Sequence, residues 1–201
     1  MKQFSPATSA YLARRGGSVV RVLVHAWARN RQTDEIEPIG LWNGEADQVF
    51  IIDGTARTYY RAEGNFEVDE IASEPGTDVR FVTLRLCGLT PEIITLLRAW
   101  QPRFAAVEIH RALFDADSGA LVDTPTRLFR GWIDGAPMPV PALGEDAQIE
   151  IRLASANRGL TRTLAAKKSD AALQAARQGD KFRQWVDVSG KVAVVWGERR
   201  V

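Results

Sequence analysis

The sequence has very little cysteine and histidine, and this scarcity excludes several kinds of site. One cysteine among 201 residues, Cys87, cannot form an intramolecular disulfide, a cysteine-only zinc site or a four-cysteine iron–sulfur site. Two histidines, His25 and His110, leave little for a histidine-rich metal site or a catalytic triad. P-loop, GxSxG, HExxH and CxxC motifs do not occur. We therefore expect a protein that is not an enzyme and that holds no metal or cofactor.

Long hydrophobic runs are also missing. Arg21 interrupts the apolar stretch between Val19 and Val24, and no small-residue cleavage site follows a clean apolar core. No stretch approaches the roughly 18 uninterrupted apolar residues that a membrane-spanning helix needs. We expect no membrane segment and a chain that is made and kept in a cytoplasm, and the single Cys87 is consistent with a reducing compartment.

Charge of one sign does not dominate the chain as a whole, but it is segregated along it. The formal net charge of +1 argues against a dedicated nucleic-acid binder with a generally basic surface. Residues 1–31 carry six basic side chains and no acid, residues 33–78 carry twelve acids against Arg57 and Arg61, and residues 158–183 carry seven bases against two acids. Two interpretations are open: solvated faces of a monomer, or complementary patches that set the register between identical subunits.

Apolar alternation over short segments predicts a mainly β protein. The cleanest strand is Gln148–Leu153, and turn dipeptides such as Asp53-Gly54 separate the other alternating runs. Strands divided by turns every 8–12 residues or so are typical of a sandwich or barrel. We predict a β-rich α+β fold, with a tail-tube-like β body over residues 1–165 and a basic arm over residues 166–201. The arm is predicted to contain a helix and then a short strand over Lys191–Trp196.

Two helices are predicted. Thr90 is a typical N-cap and Pro91 a typical first helical residue, so that a helix is expected around residues 90–100 and is expected to end at Pro102. The second helix is expected to begin at Ser169 and to end before Gly179.

Three groups of residues have both a structural and a chemical interpretation. His25 and His110 lie in strand-like runs and are interpreted as packed or surface residues rather than ligands or bases. Glu108 shares a strand face with His110, where an acid–base pair is the chemical alternative, but no nucleophile or third group accompanies them. The segment Asp115–Gly119 is interpreted as a turn, with calcium coordination as its alternative.

Eight short motifs occur along the chain in a characteristic order. They are Pro38–Gly44, Arg57–Tyr60, Val107–Phe114, Phe129–Gly135, Ala154–Arg162, Lys168–Asp170, Gly179–Arg183 and Val195–Gly197. This order resembles a family of tail-tip proteins of long-tailed bacteriophages, which also occurs in prophages and in gene-transfer-agent-like particles of α-proteobacteria. The resemblance runs from about Tyr11 to Gly197, and the Ser-Asp, Gly-Asp-x-Phe and Trp-Gly ending is its most specific part.

The resemblance implies a structural role. Such proteins are similar to baseplate hub or distal tail components, whose β modules pack into rings that join the tail tube to the host-recognition apparatus and let DNA pass. Hub proteins are usually trimers and distal tail proteins usually hexamers, and we favour the trimer. Larger relatives carry a cysteine-rich iron–sulfur region, which is not carried over to a chain with Cys87 alone.

The resemblance also implies partners and a location. The expected partners are further copies of the chain, a distal tail protein, a central tip or fibre protein and a tape-measure protein. The expected location is the virion tail tip, after assembly in the host cytoplasm. A tail-associated cell-wall hydrolase and a receptor-binding β module remain the alternatives to a ring protein.

Candidate subunit-interface residues are aromatic or basic, because Trp, Tyr and Arg are enriched where subunits meet. They are Trp42, Tyr59, Tyr60, Arg130, Trp132, Arg158, Arg162, Lys167, Lys168, Arg183 and Trp185.

Charge reversal at Lys167 and Lys168 tests whether the basic segment clamps the acidic stretch of a neighbouring subunit. Replacing both lysines by glutamate is expected to abolish assembly, because like charges would then face each other. Sizing of the assembly by light scattering checks this. Normal assembly of the Lys167→Glu, Lys168→Glu protein would contradict the clamp.

Overall fold

The protein is described here by a computed structural model, which covers residues 4–62, 66–72, 76–88, 90–137, 148–161 and 168–191. The chain divides into two compact units, Met1–Thr161 and Arg162–Val201. The predicted boundary at residue 165 lies outside the described residues, as does the predicted final strand beyond Lys191.

Nine strands form one mixed sheet in the first unit, and they confirm the predicted β-rich α+β class. The sheet order is β3-β4-β2-β1-β7-β8-β9-β6-β5, and neighbouring strands are antiparallel except for the parallel contact between β2 and β4. The strands are β1 (Ser18–Asn30), β2 (Ile36–Trp42), β3 (Gln48–Ile52), β4 (Thr55–Arg61), β5 (Phe66–Val68), β6 (Phe81–Cys87), β7 (Trp100–Asp115), β8 (Thr126–Gly135) and β9 (Gln148–Ser155).

Short helices accompany the sheet. In the first unit they are α1 (Pro6–Ala13), α2 (Pro91–Ile94) with a π-helical continuation (Thr95–Ala99), and a 3-10 segment (Ala156–Thr161). The second unit contains α3 (Asp170–Ala176) and α4 (Val186–Ser189).

Both predicted helices are present. Thr90 caps α2, since its hydroxyl oxygen accepts a hydrogen bond from the backbone N–H of Ile93, and Ser169 caps α3 in the same way. The expected end of the first helix at Pro102 is wrong. The helix ends at Ala99, and Pro102 lies inside β7, which is therefore longer than its alternation indicated. The proline is tolerated there because the strand is bulged next to it, between Trp27 and Arg29 of the neighbouring β1.

The main core lies on one face of the curled sheet. Val24 and Ala26 of β1 pack in the same buried cluster as Leu84 of β6 and Ile151 of β9, which means that the two halves of the sheet face each other. Apolar residues of the π-helical segment, such as Leu96, complete this cluster. Burial of these side chains supplies the main driving force for folding the first unit.

A second buried cluster lies on the opposite, outer face of β1, β2 and β7. The hairpin of β3 and β4 covers this face, and its Asp53-Gly54 turn has positive φ at both residues (51° and 76°), as a two-residue hairpin turn requires. Phe50 and Tyr59 of the hairpin pack against residues of the outer face. The cluster consists of Leu23, Trp42, Phe50, Ile52, Tyr59 and Ala112, with Phe114 beside it. The central strands are therefore buried on both faces.

Gly40 of β2 sits where the hairpin approaches most closely. A Cβ atom at this position would lie 2.4 Å from the carbonyl oxygen of Thr58 and 2.8 Å from Cδ1 of Tyr59. The absence of a side chain at Gly40 thus lets β4 approach the outer face.

Replacing Gly40 by alanine is expected to destabilise the protein by about 1–3 kcal/mol, because the added methyl group overpacks the contact with β4. The free energy of unfolding, measured in denaturant, checks this. Gly16→Ala is the matched control, since a Cβ atom at Gly16 would meet nothing within 4 Å. Equal stability of the two variants would contradict the close approach.

Candidate functional site

A buried carboxylate is the most unusual feature of the outer face. Glu108 projects from the middle of β7 and is 6% exposed. Its neighbours along the strand, Val107 and Ile109, point to the main core because successive side chains of a strand alternate between faces. Glu108 therefore lies between the sheet and the hairpin, where an unpaired charge would be strongly unfavourable.

Arginines from two other strands neutralise this carboxylate. Arg57 of β4 donates to Oε2 of Glu108 at 2.9 Å, and Arg127 of β8 donates to Oε1 at 3.2 Å. Arg130 of β8 is 3.8 Å from the same Oε1 atom. Burial opposes ionisation of Glu108, but the hydrogen bond and charge of Arg57 outweigh it and hold the pKa of this carboxyl below its ordinary value. Glu108 thus joins the hairpin to the central sheet as an anion.

Both histidines lie in the same layer. His25 of β1 is 3% exposed and His110 of β7 is 1% exposed. Nε2 of His110 is 4.0 Å from Oε2 of Glu108, which is too far for a hydrogen bond. Among the residues that the structure describes, neither nitrogen of His110 has a hydrogen-bond partner, and neither does Nδ1 of His25. The interpretation of both residues as packed side chains is consistent with this burial, and the two rings lie in one cluster with Glu108.

Aromatic rings enclose His25. Its ring centroid is 4.4 Å from that of Trp27 and 5.6 Å from that of Tyr59. The guanidinium carbon of Arg57 lies 5.2 Å from the Trp27 ring, in cation–π geometry. Burial raises the pKa of Tyr59 to about 12, against the opposing charge and hydrogen bond of Arg57. The cluster of Glu108, Arg57, His25, His110 and Tyr59 is called the outer polar cluster below.

The geometry of the outer polar cluster favours a structural role, in which it fixes the hairpin on the sheet, over proton transfer. An acid–base pair of Glu108 and His110 requires a carboxylate that is free to accept a proton. Glu108 instead accepts hydrogen bonds from Arg57 and Arg127, which stabilise its charged form. The buried ion pair of Arg57 and Glu108 holds β4 against β7.

The candidate calcium segment Asp115–Gly119 has a local structural role. Oδ1 of Asp115 accepts hydrogen bonds from the backbone N–H groups of Asp117 and Ser118, and this is the turn expected from the sequence. Hydrogen bonds from Ser118 lower the pKa of Asp115.

The side chain of Cys87 is half-buried at the end of β6. Across the described ranges, no three or more His, Cys, Asp or Glu side chains are grouped to hold a metal ion.

The predicted interface residues occupy different environments. Trp42 and Tyr59 are buried within their own chain, in the outer cluster, so these two side chains do not present a surface to another subunit. Both side chains are buried between the hairpin and the outer face of the sheet. Tyr60, Trp132, Arg158 and Arg183 are half-buried, and Arg130, Lys168 and Trp185 are exposed. Arg162 and Lys167 lie outside the described residues.

Several intrachain ion pairs involve the acidic stretch. Arg21 pairs with Glu45 at 3.4 Å and Arg29 with Asp34 at 2.9 Å. Bases of residues 1–31 therefore meet acids of residues 33–78 within one chain. In addition, Arg158, a predicted interface residue, pairs with Asp134. Some of the charges that are segregated along the sequence therefore pair with each other within one folded chain.

Strand β3 forms one edge of the sheet and presents apolar side chains to solvent. Val49 is 56% exposed and Ile51 is 64% exposed, whereas the alternate residues Phe50 and Ile52 are buried. The strand Gln48–Ile52 contains no charge and no proline, which are the usual protections of an exposed edge. Sequence alternation alone did not indicate this edge, because Val49–Ile52 reads as a continuous apolar run.

A comparison with models of known protein families finds no match for this chain, and a comparison with curated proteins finds none either. In the part of the chain that the structure describes, every helix is too short or too polar to cross a membrane.

Replacing Arg57 by methionine tests the buried ion pair. The change is expected to lower the free energy of unfolding by about 3 kcal/mol, because it removes the closest cation from a buried carboxylate. Arg29→Met is the matched control, since the Arg29–Asp34 pair is exposed and its loss is expected to cost about 0.5 kcal/mol or less. Equal effects of the two changes in denaturant unfolding would show that the Arg57–Glu108 pair does not hold the hairpin.

Proposed function

We propose that this protein is a structural ring component of the tail tip of a long-tailed bacteriophage or a related particle, and that it acts in the manner of a baseplate hub. The ring would join the tail tube to the host-recognition apparatus and leave a passage for DNA. The trimer remains the favoured assembly, with the hexamer of a distal tail protein as the alternative.

The proposal is supported first by where the motifs of the tail-tip resemblance lie in the fold. Pro38–Gly44 contains Gly40, against which the β4 motif packs, and the β4 motif supplies Arg57. The β7 motif supplies Glu108, and the β8 motif supplies Arg130. Four motifs that are far apart in sequence therefore meet in and around the outer polar cluster. These four motifs, although separate in sequence, therefore belong to one connected region of the fold.

The single observation that carries ring formation is the unprotected edge of β3. Its outward backbone N–H and C=O groups and the apolar Val49 and Ile51 suit pairing with a strand or an apolar surface of a neighbour. Acids flank the strand on both sides, at Asp47 and Asp53. Self-pairing of two antiparallel β3 strands would bring these like charges together, which favours a head-to-tail contact and hence a closed ring over a two-fold dimer.

The basic segment of residues 158–183 is the candidate counterpart of this acidic edge. Lys168 and Lys181 are exposed, and Phe182 and Trp185 beside them are exposed apolar side chains. A surface with cations around apolar side chains complements an edge with anions around Val49 and Ile51. We place the neighbour's basic segment against the β3 edge for this reason.

Replacing Ile51 by lysine is expected to abolish the ring while leaving the fold unchanged, because a charge on an edge strand prevents edge pairing. Native mass spectrometry of the concentrated protein measures the assembly, and circular dichroism checks the fold. Ile36→Lys is the matched control, since Ile36 is also an exposed isoleucine (63%) but lies at the start of β2, away from the β3 edge.

A trimer that survives in the Ile36→Lys protein and is lost in the Ile51→Lys protein is the expected result. A wild-type protein that stays monomeric alone and with the adjoining tail proteins would contradict the proposed ring.

A further inference from the structure

The outer polar cluster contains two histidines that are buried without the hydrogen bonds that would stabilise a charged imidazolium. Within the described part of the chain, both nitrogens of His110 and Nδ1 of His25 have no hydrogen-bond partner. A protonated imidazole is a donor at both nitrogens, so that a buried histidinium in this place would carry unsatisfied donors as well as a charge.

The charged groups that face the histidines come from every strand packed around them. Arg57 and Tyr59 of β4 face His25, and Glu108 and His110 of β7 lie beside it. Arg57, Arg127 of β8 and Asp53 of the hairpin turn act on His110 together with Glu108. Arg130 of β8 also lies near the shared carboxylate.

Burial makes a further cation beside these arginines unfavourable. Glu108 already faces Arg57 and Arg127 at hydrogen-bond distance, and Asp53 is 4.0 Å from Arg57 and largely exposed. Protonation of either histidine would add a positive charge beside the arginines that already surround Glu108. Burial is the largest cause of the lowered pKa of both histidines; Arg57 on the hairpin adds to it, and Glu108 acts in the opposite direction.

We propose that the β3–β4 hairpin is an acid-released cover of the sheet, which opens when His25 and His110 take up protons while the main core stays folded. Opening would uncover the apolar outer face around Leu23 and Trp42. The proposal does not depend on the tail-tip role, because it rests on the contacts of one chain.

The hairpin is the element expected to move because few strand pairings join it to the rest of the sheet. β4 meets β2 through a short parallel register, Leu41 with Tyr60 and Trp42 with Arg61. The outer cluster of buried residues under the hairpin is separate from the main core, against which only Tyr60 of the described hairpin residues packs. Breaking the outer cluster therefore leaves the paired strands β6 and β9 and their core contacts in place.

The direction of the pH effect follows from the lowered pKa values of the two histidines. Burial, and then the charge of Arg57, lowers the pKa of His25 to about 4; burial also lowers the pKa of His110 to about 4. A group whose pKa is lower in the closed state binds more protons when the hairpin is open, so acid favours opening. The stability of the closed hairpin is fully present above pH 6.5 and falls between pH 6.5 and 4.

Amide hydrogen exchange of the full chain tests the proposal. With a pKa of about 4 when closed and 6.5 when open, each histidine makes opening about 20-fold more favourable at pH 5 than at pH 7, or about 400-fold for both. After correction for intrinsic exchange rates, this loss of protection is expected in Gln48–Arg61 and not in the amides of β6 and β9. A hairpin protected equally at both pH values, or a loss shared equally by β6 and β9, would overturn the proposal.

The chain has two histidines, so one variant with two substitutions removes both. In the His25→Phe, His110→Phe protein the hairpin is expected to exchange equally at pH 5 and pH 7, since phenylalanine fills the space but does not titrate. Pronounced acid opening in this variant would overturn the proposal.

Should the double variant fail to fold, the ring signals of the two histidines in the wild-type protein provide the same test by nuclear magnetic resonance. Midpoints well below 6.5, accompanied by exchange with an open form, are expected. Midpoints at the ordinary value of 6.5 with no change in the signals of the hairpin would contradict it.

Discussion

A carboxylate placed under a hairpin must be neutralised there, and the rest of the outer layer depends on how Arg57 meets this requirement. The ion pair with Glu108 fixes β4 at one distance above β7, and this distance in turn requires that Gly40 lack a side chain. It also determines where Phe50 and Tyr59 pack and leaves both histidines enclosed. A buried ion pair of this kind contributes less to net stability than to the choice of one arrangement over its alternatives.

Burial of β1 and β7 on both faces connects the cluster to the proposed assembly. The hairpin that covers the outer face is also the element that carries the sheet edge, since β3 is its outer strand. Phe50 and Ile52 are buried in the outer cluster, and the strand alternation therefore turns Val49 and Ile51 to solvent. The interior contacts of one chain thereby set which side chains a neighbour would meet.

The sequence predicted those parts of the molecule that depend on local patterns. The cap at Thr90, the turn at Asp53-Gly54 and the alternation of Gln148–Leu153 each appear in the structure, because each requires only neighbours in sequence. Helix α1 was not predicted, although Ser5 and Pro6 form a cap and first-turn signal. The outer polar cluster was predicted only as Glu108 with His110. Its remaining members, His25, Arg57 and Tyr59, are 83, 51 and 49 positions away from Glu108, and no local pattern indicates such long-range contacts.

The central claim is that the Arg57–Glu108 contact holds the hairpin on the sheet, and a double-mutant cycle measures it most directly. The free energies of unfolding of Arg57→Met, Glu108→Gln and the double variant, set against the wild type, isolate the energy of the contact. The structure predicts a coupling energy of about 1.5 kcal/mol or more, since both groups are shielded from water. A coupling energy below about 0.5 kcal/mol, as for an exposed pair, would contradict the claim.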